Sequence, residues 1–285
     1  MYEIKDLSEV EFSIIAICMR EAFSDYYVKM ELSDEALYHR FKSENVRYDL
    51  SCGAFFEGEL VAVLLNAVAV LLNAVGEYNG EKVAFDAATG VVPAHRRKGL
   101  YSKMMDYCLE LLKQYNFAYY GLEVIQTNKP AVATYRKMGL EIIKEYACFR
   151  GNAKESMKGT ENFQELPITE FPLESLEPLR HDTPSFENRI EILQNFPDDY
   201  RIMYTGNEKE CNAFIIYQKD SGQVKQWGRR EGRISELGEL MVNLSGHYRD
   251  VRLHNINFTD QLWIKKMEEL GFDHFCDQFE MKMDC

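Results

Sequence analysis

Apolar residues recur on one stripe over residues 100–115, where Leu100, Met104, Met105, Cys108, Leu111, Leu112 and Tyr115 share a helical face and predict an amphipathic helix. Earlier in the chain the pattern predicts helices over 8–23 and 34–42, then strands over 51–56, 59–75 and 82–91. Asn79-Gly80 supplies the positive φ angles of a hairpin turn within 77–80. A strand is expected at 118–125. Asn128-Lys129-Pro130 then starts a helix that runs to about 138, with Gly139 as its left-handed terminator and a strand or strand pair over 140–150.

Residues 62–68 and 69–75 both read AVLLNAV, a tandem repeat of seven. A strand alternates faces with period two, so an odd insertion reverses every later side chain unless a bulge or loop absorbs it. One copy is expected to pair in the sheet. Five of seven prolines, at 167, 172, 178, 184 and 197, mark residues 151–183 as a linker or irregular crossing segment.

The second half repeats parts of the plan, with strands at 200–204, 211–219, 223–227, 251–255 and 273–283, and helices at 234–244 and 259–270. Arg96-x-x-Gly99 matches Arg229-x-x-Gly232, and Lys137-Met138-Gly139-Leu140 matches Glu269-Leu270-Gly271-Phe272, at offsets of 133 and 132 residues. This is read as a diverged internal duplication. The fold class is α/β of the α+β kind: mixed sheets flanked by helices.

Composition narrows the function. The 285 residues carry 33 Lys and Arg against 46 Asp and Glu, a net charge of -13, which opposes diffuse attraction to nucleic acid or anionic membrane. No apolar run is long enough to span a bilayer, and no signal peptide is evident at Met1. Seven scattered cysteines without C-x-x-C or zinc spacing read as reduced thiols in a cytoplasm, and no metal is expected. Any anionic ligand needs a local basic cluster.

That cluster is His95-Arg96-Arg97-Lys98, inside Thr89-Gly90-Val91-Val92-Pro93-Ala94-His95-Arg96-Arg97-Lys98-Gly99-Leu100-Tyr101. It joins an expected strand to an expected helix. A loop so placed can turn backbone N–H groups toward one point beside a helix N-terminus, a site suited to a diphosphate. A solvated loop with a turn glycine is the plainer alternative. A P-loop is excluded because G-x-x-x-x-G-K-[ST] does not occur.

From Val83 to Phe149 the chain resembles the cofactor-binding half of the GNAT family of acetyl-CoA-dependent N-acetyltransferases. Arg96 and Gly99 fit the family's [Q/R]-x-x-G-x-[G/A] loop after Val-Val-Pro, and Ala133-Thr134-Tyr135-Arg136-Lys137-Met138-Gly139-Leu140 is similar to its closing helix and strand. Tyr101 departs from it, standing where the family has Gly or Ala. The resemblance implies two GNAT-like domains, each a mixed, mostly antiparallel sheet flanked by helices. The first covers 1–150, the segment 151–183 links them, and 184–285 form a degenerate copy with Met267 in place of Tyr135.

By the same resemblance, the N–H groups of Val91 and Val92 hold the acetyl carbonyl and pantetheine. The backbone of Arg97, Lys98, Gly99, Tyr101 and Ser102, with the Arg96 side chain, cradles the pyrophosphate, and Asn128 touches the pantetheine or its water. Tyr135 protonates the leaving thiolate; packing into the core is its alternative role. Asp86 and Glu123 are the candidate general bases, and either could instead cap a backbone group or face water. The first two helices and their loop, residues 23–30, would form the acceptor pocket, with Asp25 as an attractor for a cationic amine; a packed surface loop is the plainer alternative. The expected reaction is transfer of acetyl from acetyl-CoA to a primary amine of a small molecule or peptide. A CoA-binding regulatory or scaffold module is the alternative, and a homodimer is left open.

Overall fold

The computed structural model describes residues 1–26, 33–71 and 81–284. The expected hairpin turn at 77–80 lies outside them, as do residues 27–30 of the expected acceptor loop. The fold is mixed α/β with mostly antiparallel strands, and the chain divides into two compact units. The first comprises Met1–Glu123, Pro130–Glu141 and the last residues from Met281; the second comprises Val124–Lys129 and Ile142–Glu280.

The first unit contains β1 (Tyr2–Asp6), α1 (Phe12–Ala22), α2 (Asp34–Ser43), β2 (Cys52–Phe56), β3 (Glu59–Leu71), β4 (Glu81–Val91), α3 (Leu100–Leu112), β5 (Tyr119–Ile125) and α4 (Lys129–Lys137). Its sheet runs β1-β2-β3-β4-β5, antiparallel throughout except for the parallel pair β4–β5. The sequence pattern did not announce β1, a short strand of half-buried and exposed residues. Helix α1 begins at Phe12 and not at Ser8, because Leu7 to Val10 close a turn in which the Val10 N–H donates to the Leu7 carbonyl. Ser33 caps α2 by accepting from the Ala36 N–H at 3.3 Å.

Leu7, Ile15, Met19, Leu37, Phe41, Val63 and Leu65 pack one face of this sheet. Of the expected stripe, Leu100, Met104, Met105, Cys108 and Leu112 are buried and Leu111 is half-buried, but α3 ends at Leu112, and Tyr115 lies in the 3-10 turn beyond it, 39% exposed. A two-residue turn, Glu57 (φ 53°) and Gly58 (φ 88°), joins β2 to β3. In β3 the first AVLLNAV copy pairs along its whole length with β4, and Ala69, Val70 and Leu71 of the second copy continue the ladder.

The second unit contains β6 (Glu141–Gly151), β7 (Gln164–Pro167), the single turn α5 (Ile190–Leu193), β8 (Tyr200–Gly206), β9 (Cys211–Gln218), β10 (Val224–Arg229), α6 (Ile234–His247), β11 (Val251–Asn257), α7 (Gln261–Leu270) and β12 (Asp273–Asp284). The strand order is β12-β6-β11-β10-β9-β8-β7, with β10–β11 parallel. The proline-rich segment supplies the edge strand β7, and its Ile168, Phe171, Leu176 and Leu179 are buried against Tyr204, Phe214 and Ile216. On the other face Leu237, Leu240, Met241, Trp263 and Met267 pack on Ile215 and Leu253. The second unit thus repeats the parallel strand pair followed by a helix. No described helix is long and apolar enough to cross a membrane, and the six described cysteines are unbridged.

Candidate active site

The β3–β4 ladder shifts between Leu65↔Ala88 and Asn66↔Asp86, so Ala87 is an extra residue on β4. A bulge of this kind bends its strand and re-aims the adjacent side chains. The parallel pairing of β4 with β5 runs from Val83↔Tyr119 to Asp86↔Leu122; among the described residues no later pair joins the two strands. The opening between β4 and β5 therefore starts at the bulge, and Asp86 stands at its inner end.

Asp86 is 8% exposed. Thr89 Oγ1 donates to its Oδ2 at 2.6 Å, while among the described residues its buried Oδ1 meets no donor. Burial pushes the carboxyl up to about 7, against the opposing pull of the Thr89 hydroxyl and the Ala88 N–H. Tyr101, Tyr120 and Tyr135 are close enough to Asp86 that its charge adds to the effect of burial, and all three phenols are held well above their usual range. They stay protonated at neutral pH.

Val92 donates its N–H back to the Val61 carbonyl at 3.0 Å. That removes Val92 as a donor to an acyl carbonyl. Antiparallel pairs alternate between hydrogen-bonded and open, so the next pair, Ala62↔Val91, is of the open kind. The Val91 N–H therefore faces away from β3, toward the opening. The Val91 carbonyl, on the same side, accepts from Arg96 Nε at 3.0 Å.

Between Val91 and α3 the chain makes a short 3-10 turn, Pro93–His95, then places Arg97 (φ 61°) and Gly99 (φ 70°) in the left-handed region. Among the described residues the N–H groups of Arg97, Lys98 and Gly99 meet no backbone carbonyl. A Cβ on Gly99 would find nothing within 4 Å, so the turn is open on that side of Gly99. Successive amides in such a turn, followed by a helix N-terminus, suit a diphosphate.

The basic side chains are distributed unequally. Lys98 Nζ donates to Tyr2 Oη at 2.9 Å, and Tyr2 also contacts His95 Nδ1 at 2.8 Å, so β1 steadies the loop. Arg96 is held by Asp25 and the end of α1. Arg97 is exposed and makes no hydrogen bond or ion pair among the described residues.

Tyr101 turns its ring away from the loop, packing edge-on against Tyr135 with centroids 5.1 Å apart while its hydroxyl lies 3.8 Å from Met105 Sδ. Ser102 sits in the first turn of α3. Glu123 is half-buried on β5, one residue past the last pair with β4. Asn128 closes the turn after β5, with its N–H on the Ile125 carbonyl at 2.9 Å. Asp86, Val91, Arg96, Tyr101 and Tyr135 thus gather within the first unit. Thr89 and Tyr2 were missed: a threonine three residues after an aspartate and a tyrosine at position 2 carry no motif.

In the second unit Met267 is fully buried in the core where Tyr135 stands in the first. Arg229 is engaged in two hydrogen bonds of 2.8 Å to Asp260.

Residues 15–140 match the Acetyltransferase (GNAT) family and form a domain of that family. No curated protein matches the sequence. Solved structures resemble the chain over its full length. A Pyrococcus horikoshii protein assigned as an acetyltransferase has 13% identity and a TM-score of 0.71, covering 100% of this chain and 89% of its own. A GCN5-related N-acetyltransferase from Sphaerobacter thermophilus has 11% identity and a TM-score of 0.69, covering 99% and 95%. A tandem GNAT protein from the clavulanic acid biosynthesis pathway has 13% identity and a TM-score of 0.64, covering 100% and 98%. At these identities the likeness is one of fold.

Proposed function

We propose that the protein is an N-acetyltransferase that moves acetyl from acetyl-CoA to a primary amine of a small molecule or peptide, by direct attack, in a reducing compartment such as the cytoplasm. The observation that carries the reading is Asp86, a buried carboxyl pushed up to about 7 beside a protonated Tyr135. A base and an acid so poised are what aminolysis of a thioester needs.

Acetyl-CoA supplies an activated acyl group. The open amides at Arg97 to Gly99, the first turn of α3 and the Arg97 guanidinium would hold its diphosphate. The Val91 N–H would donate to the acyl carbonyl oxygen as negative charge develops there. Asp86 accepts the proton lost by the amine as nitrogen bonds to the acyl carbon. The C–S bond breaks, and Tyr135 gives its proton to the departing sulfur. Asp86 returns the amine proton to solvent as the Tyr135 phenolate takes one up, so a neutral amine gives the amide and CoA thiol with no net proton; the one proton released overall is that shed when the substrate ammonium becomes the attacking amine.

Calorimetric titration with acetyl-CoA and thiol release in a panel of primary amines test this. Asp86→Asn and Tyr135→Phe should each lose about 10²–10⁴ in turnover while binding acetyl-CoA. Wild-type turnover should fall tenfold per pH unit below about 7 and level off above it. Binding without thiol release in the presence of any amine would favour the second reading, a CoA-binding regulatory or scaffold module; absence of binding at millimolar acetyl-CoA would overturn both.

A further inference from the structure

The acceptor-side turn after α1 is tied to the cofactor loop by a single side chain. Arg96 Nη1 and Nη2 donate to Asp25 Oδ2 and Oδ1 at 2.8 and 2.6 Å, and Nη2 also donates to the Ala22 carbonyl at 2.9 Å. With the Nε bond to the Val91 carbonyl, at least four of five guanidinium donors are engaged. Ala22 is the last residue of α1, and its carbonyl is one a helix leaves without an internal partner. Arg96 thus joins the end of β4, the end of α1 and the turn beyond it.

A second contact fixes the same turn independently. A Cβ on Gly90 would lie 2.7 Å from the Phe23 ring and 2.8 Å from the Ala22 Cβ, so α1 ends directly on the β4 backbone. Tyr26 follows, with its N–H on the Phe23 carbonyl at 3.1 Å and its ring 5.1 Å from that of Phe23. The Tyr26 phenol is near enough to Tyr135 to help hold that phenol protonated.

We propose that Asp25 and Arg96 are positioning residues, a tether that sets the Phe23–Tyr26 turn against the end of β4, and that Arg97 with the loop amides, not the Arg96 side chain, receives the diphosphate. The proposal rests on the acetyltransferase reading for its purpose. It reassigns two residues: Asp25 is not the attractor for a cationic amine, and Arg96 is not the phosphate ligand that the loop motif suggests. The Arg96 hydrogen bonds hold the Asp25 carboxyl below its usual range, so the tether persists through neutral pH and opens only in acid.

Amide hydrogen exchange of the cofactor-free protein, read on peptides covering residues 20–26, tests the tether without any cofactor or acceptor. Asp25→Asn should speed exchange there about threefold to fivefold, the scale of an exposed bidentate pair. Asp25→Glu should restore it to within about twofold, and 1 M NaCl should reproduce part of the Asn effect in the wild type. Unchanged exchange in Asp25→Asn would overturn the tether.

Acetyl-CoA calorimetry tests the reassignment. Arg97→Gln should weaken binding at least about fivefold, and Asp25→Asn should leave it within about threefold, the range of about one exposed ion pair. Binding tightened tenfold in Asp25→Asn would mean that Asp25 competes with the diphosphate for Arg96, and would overturn the reassignment. Should the wild type bind no acetyl-CoA, the acetyltransferase reading fails, while the exchange arm still decides the tether.

Discussion

Arg96 and Arg229 hold matching places in two copies of one loop, and each grips a carboxylate through two hydrogen bonds. Their settings differ. The Arg96 and Asp25 side chains are 39% and 55% exposed, whereas those of Arg229 and Asp260 are 11% and 4% exposed. Loop length explains the contrast. Seven residues separate the end of β4 from Gly99, but only two separate the end of β10 from Gly232, so Arg229 is still a strand residue. Asp260 also caps α7, accepting from the Trp263 N–H at 3.2 Å. In the second unit the arginine has become part of the interior, and in the first it remains at a surface where a ligand can arrive.

The strand pairs differ likewise. In the second unit β10 and β11 pair at Val224↔Leu253, and both carry a bulge at that level. They border a cleft lined by Lys225, Gln226, Trp227, Asn255, Asn257 and Asp260. Its buried polar groups are spent on one another: Gln226 Oε1 accepts from Arg180 Nε at 3.0 Å, and Asn255 Nδ2 donates to Ser185 Oγ at 2.8 Å. By contrast Asp86 keeps one oxygen without a donor among the described residues. At the level of the strand-pair bulge, the second unit's Gln226 and Asn255 are hydrogen-bonded, whereas the first unit's Asp86 holds an oxygen open for chemistry.

The largest expected effect tests the interior pair. Arg229→Ala leaves Asp260 as an uncompensated buried charge and should cost about 3–5 kcal/mol in urea unfolding. An effect below 1 kcal/mol would erase the distinction from Arg96. Next comes Asp86. Its folded-state value of about 7 lies above the ordinary value of 3.8, so its full contribution to stability is present below pH 4 and is lost as pH rises through 7. Asp86→Asn should therefore gain on the wild type with rising pH, by up to about 4 kcal/mol at pH 8, in unfolding measured across pH 4–8.

Gly99→Ala and Gly232→Ala form a matched pair, since φ is 70° and 76° and neither added Cβ meets an atom within 4 Å. Each should cost about 1–2 kcal/mol of stability. Only Gly99→Ala should also weaken acetyl-CoA binding. Asp25→Ala should leave the urea midpoint of unfolding indistinguishable from the wild type, as expected of an exposed pair.

The sequence carried the loop, the α3 stripe and Gly139 plainly, because glycine spacing and helical periodicity are local signals; Gly139 does adopt a φ of 96°. Asp86 could be named as a candidate from its place on a strand. Its displaced titration is not legible in sequence, since it comes from burial, which tertiary packing decides, and the three phenols that feel its charge lie on α3, β5 and α4. The resemblance implies a donor at both Val91 and Val92, but the direction of a strand amide depends on register, which pairing decides, and the Val92 N–H is turned to Val61. Asp25 and Arg96 lie 71 positions apart, and no motif links them. Strand β1 escaped notice because it is five residues long and none of them is fully buried.

The tandem AVLLNAV has a consequence for how the sheet finds its alignment. Sliding β3 by one whole copy would present an identical side chain at each of the rungs of residues 62–68, with Asn73 in the place of Asn66, whose amide oxygen accepts from Tyr120 Oη at 2.9 Å. Over those rungs the strand is a vernier with two equal marks, and the repeated side chains do not choose between them. The hairpin can. Glu57 and Gly58 form a two-residue connection whose left-handed angles match the twist of β2 and β3, and the slid alignment would stretch it by seven residues. The choice between two indistinguishable copies is thus delegated to a pair of residues that belong to neither.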